Sequence, residues 1–274
     1  MAMRCLVVAC MVLFAVSLAS CRPKWHELSS SYSYAQYLKD FRKATPPHEY
    51  AEREAAFNSN LRTILKHNAA SPPYSWRMGV NHMTDWTPSE IRGMLGYDNA
   101  LGRKQVLNRI KNHQIEEITG NLNTPHEVDW RGKGVLSAVK DQGKCGSCWS
   151  FAAAESIESH YAIQTGELSI VSEQHILSCA ANSDDCGGTG GCEGGTAELA
   201  FTEIGTIASQ WTYPYLSWHG QDDSACRYDM SRSGFAVNVT GFKSLPSNQV
   251  HNPVTFQTTF RQLCLCGVVM MKWL

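Results

Sequence analysis

The segment Asp141-Gln142-Gly143-Lys144-Cys145-Gly146-Ser147-Cys148-Trp149-Ser150-Phe151 decides the fold of this chain. It runs into an Ala-rich stretch from Ser150 to Gln164 that lacks proline and glycine and repeats apolar residues at helical spacing, and Gly166 supplies a stop. The pattern predicts a helix with Cys148 at its start. Unpaired N–H groups and the helix dipole at that position favour the thiolate of a cysteine, whose ordinary pKa is roughly 8.5.

Gln142 precedes Cys148 in the same segment and carries a side-chain N–H. Together with the backbone N–H of Cys148, this amide can stabilise an oxyanion that forms on an attacked carbonyl. A cysteine nucleophile also needs a base, for which histidine is the usual residue. We therefore interpret Cys148 as a nucleophile and Gln142 as its oxyanion donor.

Two other interpretations of these cysteines stay open, although the sequence favours them less. Cys145 and Cys148 form a Cys-x-x-Cys pair, but no βαβ pattern surrounds them as it would in a redox domain. With Cys186 and Cys192 they could hold zinc, but the second spacing does not repeat the first and an oxidising compartment is expected. We predict no metal and no organic cofactor.

The opening segment resembles the active-site signature of papain-like cysteine proteases, the cathepsin family. Val128-Asp129-Trp130-Arg131 is similar to the start of the mature enzyme in that family. Ser172-Glu173-Gln174, followed by Cys179, is similar to its next helix. Gly191-Cys192-Glu193-Gly194-Gly195 resembles the glycine-rich loop along which the family binds the substrate backbone.

The resemblance implies roles for individual residues. Cys148 is the nucleophile of a peptidase acting on peptides or proteins, Gln142 is the oxyanion donor, and the small side chains of Thr196 and Ala197 shape a pocket for an apolar or aromatic substrate residue. The substrate-binding residues it implies are Gly146, Gly194, Gly195, Thr196 and Ala197. The disulfides it implies are Cys145–Cys192 and Cys179–Cys226.

A helical stripe lies well before this segment. Glu49 and Arg53 are spaced for an i, i+4 ion pair, and Tyr34 to Phe41 predicts a second amphipathic helix that could cross the first. An ordinary amphipathic helix is the simpler alternative. The stripe consists of Glu49, Arg53, Phe57, Asn60, Ile64 and Asn68.

The stripe resembles the propeptide motif of the cathepsin-L-like branch. Gly79, Asn81 and Asp85 resemble its second motif, with Met83 where the family has phenylalanine. The resemblance implies a segment that runs backwards through the cleft and blocks the nucleophile until acid weakens its contacts. His113 to Glu117 is our candidate for that acid sensitivity.

Composition narrows the remaining possibilities. The chain is 43% hydrophobic with a net charge of −1, which gives no reason to expect nucleic acid as a partner. The apolar run from Cys5 to Ser20 is shorter than the about 20 residues that span a bilayer. It predicts a secretory signal peptide, with a lipoprotein signal as the less favoured alternative, and no membrane association after cleavage. We expect a lysosomal, vacuolar or extracellular protein, in which the 11 cysteines can form disulfides.

The C-terminal part departs from the resemblance. The family's histidine base lies about 130 or more residues after the nucleophile, but the sequence ends at Leu274, and none of its four downstream histidines has the family's setting. The predicted fold class is α+β, papain-like, with the helical left domain present and the β-rich right domain largely missing. The predicted domains are a signal peptide (1–20), a helical inhibitory propeptide (21–123) and an incomplete peptidase domain (124–274). The four histidines that follow Cys148 are His160, His175, His219 and His251.

Two functions fit this sequence. One is a cysteine endopeptidase zymogen that acts through a Cys148 thioester. The other is an inactive homologue that keeps its propeptide and binds proteases or peptides.

Overall fold

The computed structural model describes residues 22–98, 101, 129–221, 225–229, 231, 234, 236–244 and 269–271. The chain forms two compact units, residues 1–91 and 92–274. The predicted signal peptide, the His113–Glu117 segment and His251 lie outside the described residues.

The first unit is built on two helices, α1 (Tyr34–Asp40) and α2 (Tyr50–Asn68), and a third, α3 (Pro88–Met94), begins within it. Ser33 caps α1, because its hydroxyl accepts a hydrogen bond from the Gln36 N–H at 3.2 Å. Both predicted helices are confirmed. Their apolar faces meet in a core of four buried side chains, Tyr34, Tyr37, Phe57 and Leu61.

A buried carboxylate organises this core. Asp85 has no exposed surface and accepts hydrogen bonds from the hydroxyls of Tyr34 and Tyr37, each at 3.2 Å. Lys43 forms an ion pair with the same carboxylate. Burial, followed by the Asp85 charge, raises the pKa of Tyr37 far above its ordinary value. Asp85, predicted only as part of a motif, is thus the polar centre of the unit.

The predicted ion pair is also confirmed. Arg53 Nε lies 3.1 Å from a Glu49 carboxylate oxygen. The Arg53 guanidinium also forms a bidentate ion pair with Glu90, with N–O distances of 2.8 and 2.7 Å, and so links α2 to α3. The sequence pattern had not indicated Glu90.

The asparagines of the stripe, and Asn81 of the second motif, form hydrogen bonds with backbone groups. Asn60 Nδ2 donates to the Thr84 carbonyl at 2.9 Å. Asn68 donates to the Met78 carbonyl at 2.8 Å and accepts from the Met78 N–H at 2.9 Å. Asn81 Oδ1 accepts from the Met83 N–H at 2.9 Å and shapes the turn that leads to Asp85. Ile64 is buried in the same unit, whereas Gly79 has no atom within 4 Å of an added Cβ.

The second unit is mostly helical with short strands. Its helices are α4 (Cys148–Thr165), α5 (Glu173–Cys179) and α6 (Ala197–Glu203), with a 3₁₀ turn at Gly191–Glu193 between the last two. Helix α4 is central and packs against α5 and α6. The strands are β1 (Thr206–Ile207), β2 (Val237–Asn238), β3 (Phe242–Ser244) and β4 (Val269–Met271). Strand β1 pairs antiparallel with β2, and β3 pairs antiparallel with β4.

Helix α4 has the predicted position. It begins at Cys148 and ends before Gly166, whose left-handed φ of 79° lets its N–H reach the Ala162 carbonyl at 2.9 Å. Ala154 and Ile157 are fully buried in the core that this helix shares with its neighbours. The nucleophile candidate is therefore fixed to a helix that is mostly buried in the core of the unit.

One largely buried lysine lies between two fully buried carboxylates of this unit. Lys140 Nζ lies 2.6 Å from Glu158 Oε1 of α4 and also pairs with Glu173 Oε1 of α5, and neither glutamate side chain is exposed. The second oxygen of each carboxylate has no hydrogen-bond partner. Burial raises the pKa of Glu158, although the Lys140 charge opposes that shift. This cluster links α4 and α5, and the sequence carries no local pattern that predicts it.

Candidate active site

Cys148 is the first residue of α4 and is half-buried, with a free thiol. Ser147 stands at the N-cap position, but its side chain makes no capping hydrogen bond. The structure therefore places the thiol at the positive end of the helix dipole, as expected.

Gln142 is turned toward backbone carbonyls. Its Nε2 donates to the Cys145 carbonyl at 2.7 Å and to the Met94 carbonyl at 2.9 Å. The amide expected to bind an oxyanion thus binds a peptide carbonyl supplied by a distant part of the same chain. We name residues 92–98, which supply it, the strap.

The glycine-rich loop is tied to the nucleophile segment. The disulfide Cys145–Cys192 joins them, and the indole N–H of Trp149 donates to the Gly191 carbonyl at 3.1 Å. Gly195 must lack a side chain, because an added Cβ would lie 2.9 Å from the Trp149 ring. Gly194 has a φ of 102°, which favours glycine. The second implied disulfide, Cys179–Cys226, is also present.

The strap lies along this loop. The Gly195 N–H donates to the Gly96 carbonyl at 3.0 Å, and the Asp98 N–H donates to the Gly187 carbonyl at 2.7 Å. Gly96 approaches Gly146 so closely that an added Cβ would lie 1.7 Å from its carbonyl oxygen. The strap and the loop are thus joined by hydrogen bonds between main-chain groups. An extended peptide would bind along such a loop through the same kind of hydrogen bond.

The two predicted pocket residues start α6. Thr196 is buried at the N-cap position and Ala197 is half-buried as the first residue of the helix. The Thr196 methyl group packs toward Gly187, since an added Cβ there would lie 2.9 Å from it. Their role in substrate choice stays a prediction.

The described histidines downstream of Cys148 lie in different surroundings. His160 is buried within α4, with Nδ1 2.7 Å from the Ser156 carbonyl. His175 is buried in α5, where Nδ1 accepts from the Ala208 N–H at 3.0 Å and the ring stacks on Tyr228 at 4.0 Å. His219 is exposed.

The pKa of His175 gives a prediction about acid stability. Burial lowers this pKa from 6.5 to about 4. The unfolded chain binds the proton more tightly, so stability should fall as pH drops from 6.5 toward 4, by about 2–3 kcal/mol in total. Urea unfolding across this range should show a flatter acid limb for His175→Gln, whereas His219→Gln, which removes an exposed ring, should retain the parental slope. An unchanged slope in His175→Gln would contradict this assignment.

Within the described ranges, no group of His, Cys, Asp and Glu side chains is placed to hold a metal ion. No helix in the described part of the chain is both long and apolar enough to span a bilayer.

Comparison with known proteins agrees with this geometry. A family model described as papain family cysteine protease matches residues 124–261, and one described as cathepsin propeptide inhibitor domain (I29) matches residues 34–91. Procathepsin L of Mus musculus is 31% identical over 246 residues, covering 87% of this chain and 68% of the mouse protein. Oryzain beta chain of Oryza sativa subsp. japonica is 34% identical over 221 residues, covering 76% and 44%.

Solved structures give the same result. Digestive procathepsin L 3 from the larval midgut of Tenebrio molitor superposes with a TM-score of 0.65 at 28% identity, covering 83% of this chain and 69% of that one. A free cysteine at a helix start, beside a glycine-rich loop, is the arrangement expected of the thiol-protease class, and the matching family models assign the chain to it. The chain belongs to the papain family of cysteine proteases and carries a cathepsin-type propeptide domain. It spans about half to two thirds of the length of the curated relatives it matches.

Proposed function

We propose that this chain is the zymogen of a papain-like cysteine endopeptidase. The Cys148 thiolate attacks the carbonyl carbon of a peptide bond, and Gln142 Nε2 and the Cys148 N–H stabilise the oxyanion. The C–N bond breaks, the amine leaves with a proton, and a thioester remains on Cys148. Water then hydrolyses the thioester, which releases the acid and restores the thiol.

One observation carries the proposal. Gln142 Nε2 already holds a peptide carbonyl, that of Met94, 2.9 Å away. The same strap pairs with the Gly195 N–H through the carbonyl of Gly96. The oxyanion donor and the substrate loop thus both bind backbone carbonyls of one short segment, at the end of α3 and just after it, as they would have to bind the backbone of a substrate.

The strap also accounts for latency. While Met94 and Gly96 hold Gln142 and Gly195, a substrate carbonyl has no access to either donor. In this proposal residues 21–123 are the inhibitory propeptide, residues 124–274 belong to the peptidase domain, and a signal peptide directs the protein to a lysosome, a vacuole or the outside of the cell. Its substrates are peptides or proteins.

The general base that takes the thiol proton from Cys148 is a histidine in this proposal. His160 and His175 each have a ring nitrogen in contact with core backbone, and His219 is exposed. The proposal therefore assigns the thiol proton to a histidine that the described residues do not provide. An inactive homologue is the second candidate, supported by the well-packed first unit with its buried Asp85 network. It would bind another protease or a peptide rather than cleave one.

A turnover assay separates the two candidates. The full chain is incubated at acid pH and offered a fluorogenic peptide, with Cys148→Ala as the control. Hydrolysis that disappears in the control supports the endopeptidase. The absence of hydrolysis, with inhibition of a separate papain-family protease by the same sample, supports the inactive homologue and contradicts the first proposal.

A further inference from the structure

The loop of residues 213–218 connects helix α5 to the nucleophile segment. The Ser172 hydroxyl donates to the Tyr213 carbonyl at 2.5 Å. The buried Gln174 side chain accepts from the backbone N–H groups of Leu216 and Ser217, at 2.8 and 3.3 Å. Because both anchors belong to the buried start of α5, the loop has a fixed position in the core.

The side chain of Tyr215 projects from this loop into the active-site region. It is 5% exposed, and its ring meets Phe151 and Trp218 edge-on at 4.9 and 5.2 Å. Its hydroxyl donates to the Gln142 carbonyl at 2.8 Å and lies 2.8 Å from Ser147 Oγ. One hydroxyl thus touches the residue of the oxyanion donor and the residue that precedes the nucleophile.

The direction of these hydrogen bonds follows from the chemistry of the groups. A carbonyl only accepts, so the single Tyr215 hydroxyl hydrogen is used on Gln142. Ser147 must then donate its own hydrogen to Tyr215 Oη. This explains why Ser147, a good capping residue, makes no side-chain cap on α4. Its hydroxyl is committed to Tyr215 instead of the N–H groups at the helix start.

We propose that Tyr215 is a positioning residue that fixes Gln142 relative to Cys148. The proposal rests on the proposed function, because it matters only if Gln142 binds an oxyanion formed at Cys148. The hydroxyl joins the Gln142 backbone to Ser147, and the rings around it prevent the tyrosine from turning. Without the hydroxyl, the Gln142 segment loses one of its links to the helix that carries the nucleophile.

Two probes separate positioning of Gln142 from a general effect on Cys148. A peptide aldehyde adds the thiol across its C=O bond and places the resulting oxygen at the oxyanion donors, whereas iodoacetamide alkylates the thiol without needing them. Both are applied to the full chain after the same acid incubation. Tyr215→Phe retains the buried ring. Tyr213→Phe is the matched control, because the Tyr213 hydroxyl accepts from the Arg227 N–H, whereas the Tyr215 hydroxyl donates to the Gln142 carbonyl.

Tyr215→Phe is expected to weaken aldehyde binding by about fivefold to tenfold, in line with the loss of one hydrogen bond. Its iodoacetamide rate should stay within about twofold, and Tyr213→Phe should change neither value. Gln142→Ala serves as the reference for full loss of the donor. Ser147→Ala, which removes the hydroxyl that donates to Tyr215 and leaves the ring, should show the same split and replaces Tyr215→Phe if that variant does not fold.

The outcomes distinguish the positioning role of Tyr215 from the oxyanion role of Gln142. If Gln142→Ala weakens aldehyde binding and the Tyr215 and Ser147 variants do not, the positioning role is wrong and the proposed function stands. If Gln142→Ala binds the aldehyde as tightly as the parent, the oxyanion assignment fails and the role of Tyr215 fails with it. Equal losses with both probes in Tyr215→Phe would also overturn the proposal, because they indicate a general effect on the thiol.

Discussion

Replacing Lys140 with methionine is expected to lower the free energy of unfolding by about 3–5 kcal/mol, because it leaves two buried carboxylates without their cation. Both glutamate side chains are fully buried, and each has one oxygen with no partner even when Lys140 is present. The half-buried Glu155 adds a further negative charge near the cluster, and burial raises its pKa. Urea unfolding of the full chain, followed by circular dichroism at neutral pH, measures the loss.

Two comparisons make this result specific to charge. Lys133→Met changes an exposed lysine and should alter stability by no more than about 0.5 kcal/mol. Adding Glu158→Gln and Glu173→Gln to Lys140→Met removes the unpaired charges, so part of the loss should be recovered. The loss should also shrink at acid pH, where a protonated Glu158 carries no charge. If Lys140→Met lost the same free energy of unfolding at both pH values, and the triple variant recovered none of it, the loss would come from packing of the lysine stem and not from charge.

Gly96→Ala is expected to release the strap and raise the rate at which iodoacetamide labels Cys148 at neutral pH. The added Cβ would lie 1.7 Å from the carbonyl oxygen of Gly146 and 2.5 Å from its carbon. Both are backbone atoms, so no rotamer change relieves the clash. Overpacking costs about 1–3 kcal/mol. If labelling requires the strap to be released, this cost raises the labelling rate of Cys148 by about fivefold to a hundredfold, because it raises the released fraction by the same factor.

The strap contains its own control. Gly93→Ala makes the same chemical change within α3, where an added Cβ meets nothing within 4 Å. Its labelling rate should match that of the parent. Peptide mapping should place the label on Cys148, and the buried Cys186 should react slowly in all three proteins. Equal rates for Gly96→Ala and Gly93→Ala would mean that the strap contact does not control access to the thiol.

The parts of the structure that sequence predicted well are those with a local signal. Helix α4 could be located because the Ala-rich run and Gly166 mark both of its ends within one short stretch. The ion pair of Glu49 and Arg53 followed from spacing along a single helix. The disulfides came from family resemblance, because cysteine spacing alone leaves many pairings open.

The contacts that sequence did not predict join residues far apart in the chain. Lys140 pairs with Glu158 and Glu173, and no periodic pattern connects a loop lysine with two helices. Gly96 was not singled out, since a glycine signals a turn as readily as a close approach. Tyr215 touches Gln142 through a loop whose course depends on tertiary packing. Sequence therefore predicted helix α4 with Cys148 at its start, but not the contacts that surround them.

Covalent labelling of the full chain by a peptidyl epoxide after acid incubation, read by intact mass and peptide mapping, shows whether Cys148 is the nucleophile of a peptide-binding cleft. We expect a single adduct on Cys148 that is absent in Cys148→Ala. This adduct should form faster than with the same epoxide lacking the peptide, because the glycine-rich loop binds the peptide backbone. Labelling that is spread over several cysteines, or that gains nothing from the peptide, would contradict the assignment of Cys148 as the nucleophile of a peptide-binding cleft.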